Sequence, residues 1–192
     1  MKKLLIIISM ASCIFAGEMG LSAYGGLNMA NIACDDCEGD MKPGGALGVQ
    51  YHKLPVVLGL GISMRGTSES EDDITVSQSY TYLDISALYP YPVGPGTAWA
   101  GLDLGMNLSA TMDMEITGDM CDLIEAADEE CTDSADIEDV EMDYGLALGY
   151  TYSINENMGV YVSYYMGLAE IVKDAEVTHT GIGLGITYGL PF

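Results

Sequence analysis

Val177-Thr178-His179-Thr180-Gly181-Ile182-Gly183-Leu184-Gly185-Ile186-Thr187-Tyr188-Gly189-Leu190-Pro191-Phe192 is the stretch on which the fold turns. Read with a period of two, Ile182, Leu184, Ile186, Tyr188, Leu190 and Phe192 share one face, and Gly181, Gly183, Gly185, Thr187 and Gly189 share the other. The core-facing side chains of a soluble sandwich must be bulky to fill the space between two sheets. Here one face is bulky and the other nearly bare, which suits a narrow closed barrel with glycine inside and apolar side chains in lipid. The glycines are spaced by two and no crossover helix follows, so the run is not a nucleotide-binding loop.

A closing strand that alternates in this way and stops at an aromatic residue resembles the last strand of bacterial outer-membrane β-barrel proteins of the small OmpA/OmpX kind. The resemblance covers about Glu18 to Phe192. It implies an all-β fold: a single antiparallel, eight-stranded, transmembrane up-and-down barrel with long acidic outer loops. In that family the terminal aromatic belongs to the signal read by the barrel-assembly machinery. The resemblance therefore implies an assembly signal at Tyr188, Leu190 and Phe192, and that machinery as a partner.

The rest of the chain is consistent with this. Of 192 residues, 49% are apolar and 29 are acidic, so the charges must be segregated. Outside the amino-terminus no apolar run approaches the roughly 18 residues of a membrane helix, which leaves a closed barrel as the only membrane-spanning form. Residues 1–17 read as a cleaved secretory signal: Lys2 and Lys3, an apolar run from Leu4, then small residues. A lipoprotein signal at Met10-Ala11-Ser12-Cys13 is the rival. Residues 18–192 form the barrel domain. Loss of the signal leaves Lys42, Lys53, Arg65 and Lys173 against 29 carboxylates, a net charge of −25. That excludes nucleic-acid binding, which needs clustered cations.

Eight strands follow from the alternation. They run at about 20–30, 44–52, 56–65, 80–91, 98–110, 144–152, 160–168 and 177–192. The cleanest internal stripe is Val56, Leu58, Leu60, Ile62 and Met64, backed by Val57, Gly59, Gly61, Ser63 and Arg65. In the fifth strand, Ala98, Ala100, Leu102, Leu104, Met106, Leu108 and Ala110 point out. Short turns near 53–55, 92–96 and 155–157 mark one end. Long acidic connections mark the other: the segment beginning at Cys34, Thr67 to Gln78, and Asp113 to Glu141, the last with room for a helical turn around Cys121 to Glu130. Short periplasmic turns with long extracellular loops are the known asymmetry of such barrels. Tyr51, Tyr89, Tyr91, Tyr150, Tyr152, Tyr188 and Phe192 form an aromatic girdle at the short-turn end, with Tyr144 the best member at the other.

Export places Cys34, Cys37, Cys121 and Cys131 in an oxidising compartment, where disulfides are the default. Three pairings are open, and Cys34 to Cys37 with Cys121 to Cys131 is favoured. Carboxylates around Cys34 and Cys37 argue against a redox motif, and a four-thiol zinc site is disfavoured. His52 and His179 read as interfacial or loop residues. Neither opens the His-x-Ser pair of lipid A deacylase barrels, so the chain is read as non-enzymatic, with a lipid-modifying barrel enzyme as a remote alternative.

Inward-facing Asp84 and Asp103 should lie almost opposite each other, with Arg65 at similar height on the next strand. These three, with Tyr82, Tyr161 and Tyr165, are expected to plug the lumen. No dedicated cofactor is implied, since the acidic spacing does not match an EF-hand. Asp119, Asp122, Glu125, Asp128 and Glu129 could share calcium or magnesium loosely, bridging the loop to lipopolysaccharide or to a surface ligand. The expected protein is a monomer in the cell outer membrane, its loops serving envelope integrity, adhesion or recognition. A narrow channel or carrier for small apolar molecules is the alternative.

Overall fold

Alternating small and large residues build nine strands: β1 (Leu21–Ala33), β2 (Asp40–Tyr51), β3 (Val57–Glu71), β4 (Ile74–Val93), β5 (Gly96–Ile116), β6 (Thr132–Asp136), β7 (Asp143–Ser153), β8 (Met158–Gly167) and β9 (Thr178–Gly189). The computed structural model describes residues 20–33, 40–52, 55–118, 121, 131–137, 140–171 and 177–190. Every pairing is antiparallel. The ladder runs from β5 through β4, β3, β2, β1, β9, β8 and β7 back to β5, so eight strands form a closed ring with no free edge. The proposed export signal lies outside the described residues.

Closure rests on β9, whose register on β1 sets Leu27 opposite Leu184 and Gly26 opposite Gly185. Along the regular stretches the period-two rule then decides the faces. Leu27, Leu47, Leu102, Leu184 and Ile186 point out as a broad apolar exterior, each more than half exposed. Tyr89, Tyr91, Tyr152 and Tyr188 add exposed rings at the short-turn end, and Tyr144 at the other.

The inward glycines make room for tyrosines. A methyl group on Gly26 or Gly185 would stand 2.7 or 2.6 Å from Tyr161 Oη, and one on Gly48 would stand 2.7 Å from the Tyr24 ring. Tyr24 and Tyr161 meet edge to face, with centroids 6.4 Å apart. A barrel of eight strands is just wide enough for side chains to fill. Each large ring is therefore accommodated only where the opposing strand carries no side chain.

The fold departs from the sequence reading in three places. The segment 67–78, expected as a loop, is a β-hairpin: β3 and β4 stay paired from Thr67 opposite Gln78 to Glu71 opposite Ile74. Its two-residue turn is opened by Asp72 at φ 49°, a left-handed conformation that Asp tolerates better than most residues. β-Branched residues at Ile74, Thr75 and Val76 favour this extended ribbon even where its faces are polar. The expected loop from Asp113 to Glu141 is likewise partly sheet, since β6 pairs with β5 from Thr111 opposite Asp136 to Glu115 opposite Thr132. Of the helical turn expected at 121–130, only Cys121 lies among the described residues.

The third departure is a bulge. Thr81 pairs with Ser109, but Tyr82 pairs with Asn107, leaving Leu108 as an extra residue. One additional residue reverses the phase. Ala110, expected to face out, is buried against Tyr80, Tyr82, Ile32 and Ile171.

Candidate functional site

Four strands bring charge into the lumen. Arg65 follows Gly59, Gly61 and Ser63 in the inward row of β3, and Asp84 from β4, Asp103 from β5 and Asp143 from β7 converge on it. Arg65 Nη2 donates to Asp84 Oδ1 at 2.7 Å and to Asp103 Oδ1 at 3.0 Å, and Nη1 donates to Asp143 Oδ2. Asp84 and Asp103 lie diagonally, because Asp84 is paired with Gly105 and Asp103 with Ser86. Among the described residues the guanidinium is the one group bonded to all three carboxylates.

Aromatic rings enclose it. Arg65 Cζ lies 4.3 Å from the Tyr165 ring centroid and 5.1 Å from that of Tyr82, within the range of a cation–π contact. Tyr165 Oη donates to Asp143 Oδ1 at 2.6 Å. Tyr161 sits apart from this shell, pairing with Tyr24 instead.

His179 is the residue that the sequence reading misplaced. It is fully buried, with Nδ1 3.0 Å from Asp143 Oδ2, and it meets Tyr80 and Tyr82 edge-on at 5.1 and 5.8 Å. Asp143, also fully buried, lies between the expected loop, which ends at Glu141, and the expected strand from 144. Both were legible by phase: His179 falls in the inward row of Gly181, Gly183 and Gly185, and Asp143 in that of Gly145, Ala147 and Gly149. His52 is no isolated loop residue either, since its Nε2 lies 2.7 Å from Ser22 Oγ.

Above the charges sits an apolar lid. Ile171 is fully buried and packs with Ile32, Tyr80, Tyr82 and Ala110, while Ile137, Val140 and Val177 close over them. The segments beyond β6 and β8 thus fold into the mouth at the end opposite the short turns. A backbone bond from Glu141 N to Ile171 O ties the two segments together, and one from Ile171 N to Val177 O closes the second on itself.

Beyond the mouth, Cys121 and Cys131 are bonded, with Cα atoms 5.5 Å apart, and the link closes the hairpin of β5 and β6. Cys34 and Cys37 lie outside the described residues, as do Asp119, Asp122, Glu125, Asp128 and Glu129 and the terminal Phe192. Of the expected assembly signal, Tyr188 is an exposed outward residue, and Leu190 N donates to Leu21 O at 2.8 Å, which fastens the end of β9 to the start of β1.

Comparison with known proteins agrees with this architecture. The sequence profile of the family described as outer membrane protein beta-barrel domain matches residues 4–190. Neisserial surface protein A superposes with a TM-score of 0.61 at 11% identity, over 91% of this chain and 99% of that one. Ail, the attachment invasion locus protein of Yersinia pestis, solved with the heparin analogue sucrose octasulfate, gives 0.53 at 14% identity, over 90% of this chain and all of that one. At such identities the likeness is one of fold. No curated protein is significantly similar to the chain.

Proposed function

This chain belongs to the outer membrane protein β-barrel domain family, which places it in the outer membrane, and from that premise we propose that it is a non-enzymatic, non-conducting surface barrel whose outer hairpins carry recognition or adhesion. The reading rests chiefly on one observation: the lumen is closed by the Arg65 network beneath the lid of Ile171, Ile137 and Val140. A pore would waste such a barrier. Work is left to the exterior. There the hairpins of β3 with β4 and β5 with β6 stand beyond the apolar belt, one tied by a tight turn and one by a disulfide. In our reading these hairpins face outward from the cell, and the short turns face the periplasm.

The chemistry of a partner follows from charge. Glu69, Glu71 and Asp72 at the first hairpin and Asp113, Glu115, Asp133 and Asp136 at the second are exposed. The compound seen with Ail is a polyanion, and this surface would repel one. Our proposed partner is instead cationic, or is an anionic lipopolysaccharide reached through calcium or magnesium shared with the carboxylates.

His52 and Ser22 do not change the non-enzymatic reading. Among the described residues no carboxylate is bonded to the remaining ring nitrogen of His52, so nothing orients it as a general base.

The test has two arms. The full chain in planar bilayers should give no large steady currents, and cells displaying it should bind a cationic surface. Replacing Glu69, Glu71, Asp72, Asp113 and Asp133 by their amides should abolish that binding while the barrel still assembles. Large wild-type conductance, or binding indifferent to the amides, would sink the proposal.

A further inference from the structure

Below the Arg65 network the lumen is not filled. A cavity of about 490 Å³ opens at the short-turn end, where His52 and Asn155 border it, and extends inward to Ser63, Arg65, Asp84 and Asp103. Tyr80, Tyr82, Asp143 and His179 do not line it; they are fully buried beyond it, so the cavity ends blindly at the charges. Its volume falls within the range of small-molecule sites, roughly 300–1,000 Å³.

The charge at the blind end does not balance. Arg65 commits Nη1 to Asp143, outside the cavity, and divides Nη2 between Asp84 and Asp103. If His179 is protonated, two cations face three carboxylates, and if it is neutral, one does. Either way a negative surplus remains, and the two carboxylates that share one nitrogen are the pair on the cavity wall. With the Asp84 and Asp103 side chains only 8% and 15% exposed, such a surplus favours a proton or a cation beside them.

The walls favour an organic cation. Tyr24, Tyr161, Tyr165 and Trp99 line the cavity, offering faces for a cation and for a flat apolar body. Among the described residues no set of three or more His, Cys, Asp or Glu side chains is arranged to hold a metal ion. An ammonium group carries three donors, enough for Asp84, Asp103 and the Ser63 hydroxyl together.

We propose that this cavity is a binding site for a small primary amine, which enters from the short-turn end, sets its ammonium between Asp84 and Asp103, and lays its body against Tyr24 and Tyr161. The site opens at the end opposite the acidic hairpins, so it stands or falls independently of what those hairpins contact.

Trp99 is the single tryptophan and lines the cavity, which makes its fluorescence a built-in reporter. The refolded full chain in detergent is titrated with benzylamine and, separately, with benzyl alcohol, a neutral counterpart of nearly the same shape. Benzylamine should give a saturable change, with benzyl alcohol at least about tenfold weaker, because only the amine meets the carboxylates. Asp103→Asn, which keeps an acceptor for Arg65, should weaken the amine by a similar factor. The amine and alcohol comparison on the unaltered chain does not depend on that variant folding. Equal responses to the two compounds would overturn the proposal in favour of an unselective apolar hole. Abolition of the amine response by an equal concentration of potassium chloride would assign the charge to an inorganic ion. No amine response between pH 5 and pH 8 would assign it to a proton shared by the two carboxylates.

Discussion

Arg65 and Asp143 stand 78 positions apart in the chain, yet Nη1 of one donates to Oδ2 of the other inside the barrel, where Asp143 has no solvent exposure at all. The pair joins β3 to β7 across the lumen, strands that are not neighbours in the sheet. It acts as a cross-brace on the ring.

Arg65→Ala should therefore be among the most damaging single substitutions. It leaves the buried Asp84 and Asp143 and the half-buried Asp103 without their shared cation, a loss of about 3–5 kcal/mol for a broken buried pair. The measurement is the urea midpoint of the refolded barrel, read alongside its heat-dependent gel migration. Combining Arg65→Ala with Asp143→Asn should cost less than the sum of the single changes, by about 1 kcal/mol or more. Strict additivity would mean that the two do not act as a unit.

The lumen glycines predict a contrast between faces. Gly185→Ala should destabilise by about 1–3 kcal/mol, the usual cost of overpacking, because the new methyl meets the Gly25 carbonyl oxygen of the neighbouring strand as well as Tyr161 Oη at 2.6 Å. Gly25→Ala should be neutral, since that methyl points away from the lumen and meets nothing closer than 3.8 Å. Thermal gel-shift midpoints that move equally for both would refute the account of glycine as room for tyrosine.

His179→Ala removes one partner of Asp143 and opens a void beneath Tyr80 and Tyr82. The expected loss is about 2–4 kcal/mol, combining a cavity with a weakened buried acceptor. His179→Gln, which can still donate to Asp143, should recover part of it. An unfolding midpoint for the glutamine variant no better than that of alanine would show that volume alone matters.

Reduction of the Cys121–Cys131 bond should loosen one hairpin and leave the ring alone. Protease sensitivity between residues 113 and 136 should rise while the heat-dependent gel shift stays put, because β6 pairs only with the outer part of β5. If calcium is shared by the acidic segment, adding it to the oxidised protein should slow that cleavage and chelator should reverse the effect. Identical digestion with calcium and with chelator would remove the divalent-ion reading.

Deletion of Phe192 should lower the amount of barrel assembled in cells without changing its stability once refolded in detergent. Equal yields in the membrane would argue against a terminal assembly signal.

The sequence by itself determined which residues of the regular strands face in and which face out, because successive side chains of a strand point to opposite faces and one face here had to meet an apolar medium. From Gly181 to Gly189 that alternation was complete enough to imply a closed ring, and it marked Arg65, Asp84 and Asp103 as inward. Phase is local, so it survives without knowledge of partners. What it could not supply is distance across the lumen. Asp143 and His179 had the right phase, yet each sits at the edge of its strand beside a polar connection, and nothing local shows that a loop folds inward as Ile171 does. The hairpin at 67–78 escaped for a related reason: apart from Ile74 and Val76 its residues are polar on both faces, so period two carries little contrast there. The bulge at Leu108 shifts Ala110 inward through pairing with Tyr80, a neighbour in space that no reading of β5 alone contains. Tertiary structure decided these points because burial of a charge or a ring is settled by what stands opposite it, here another strand or, for Tyr80 and Tyr82, a segment folded into the mouth.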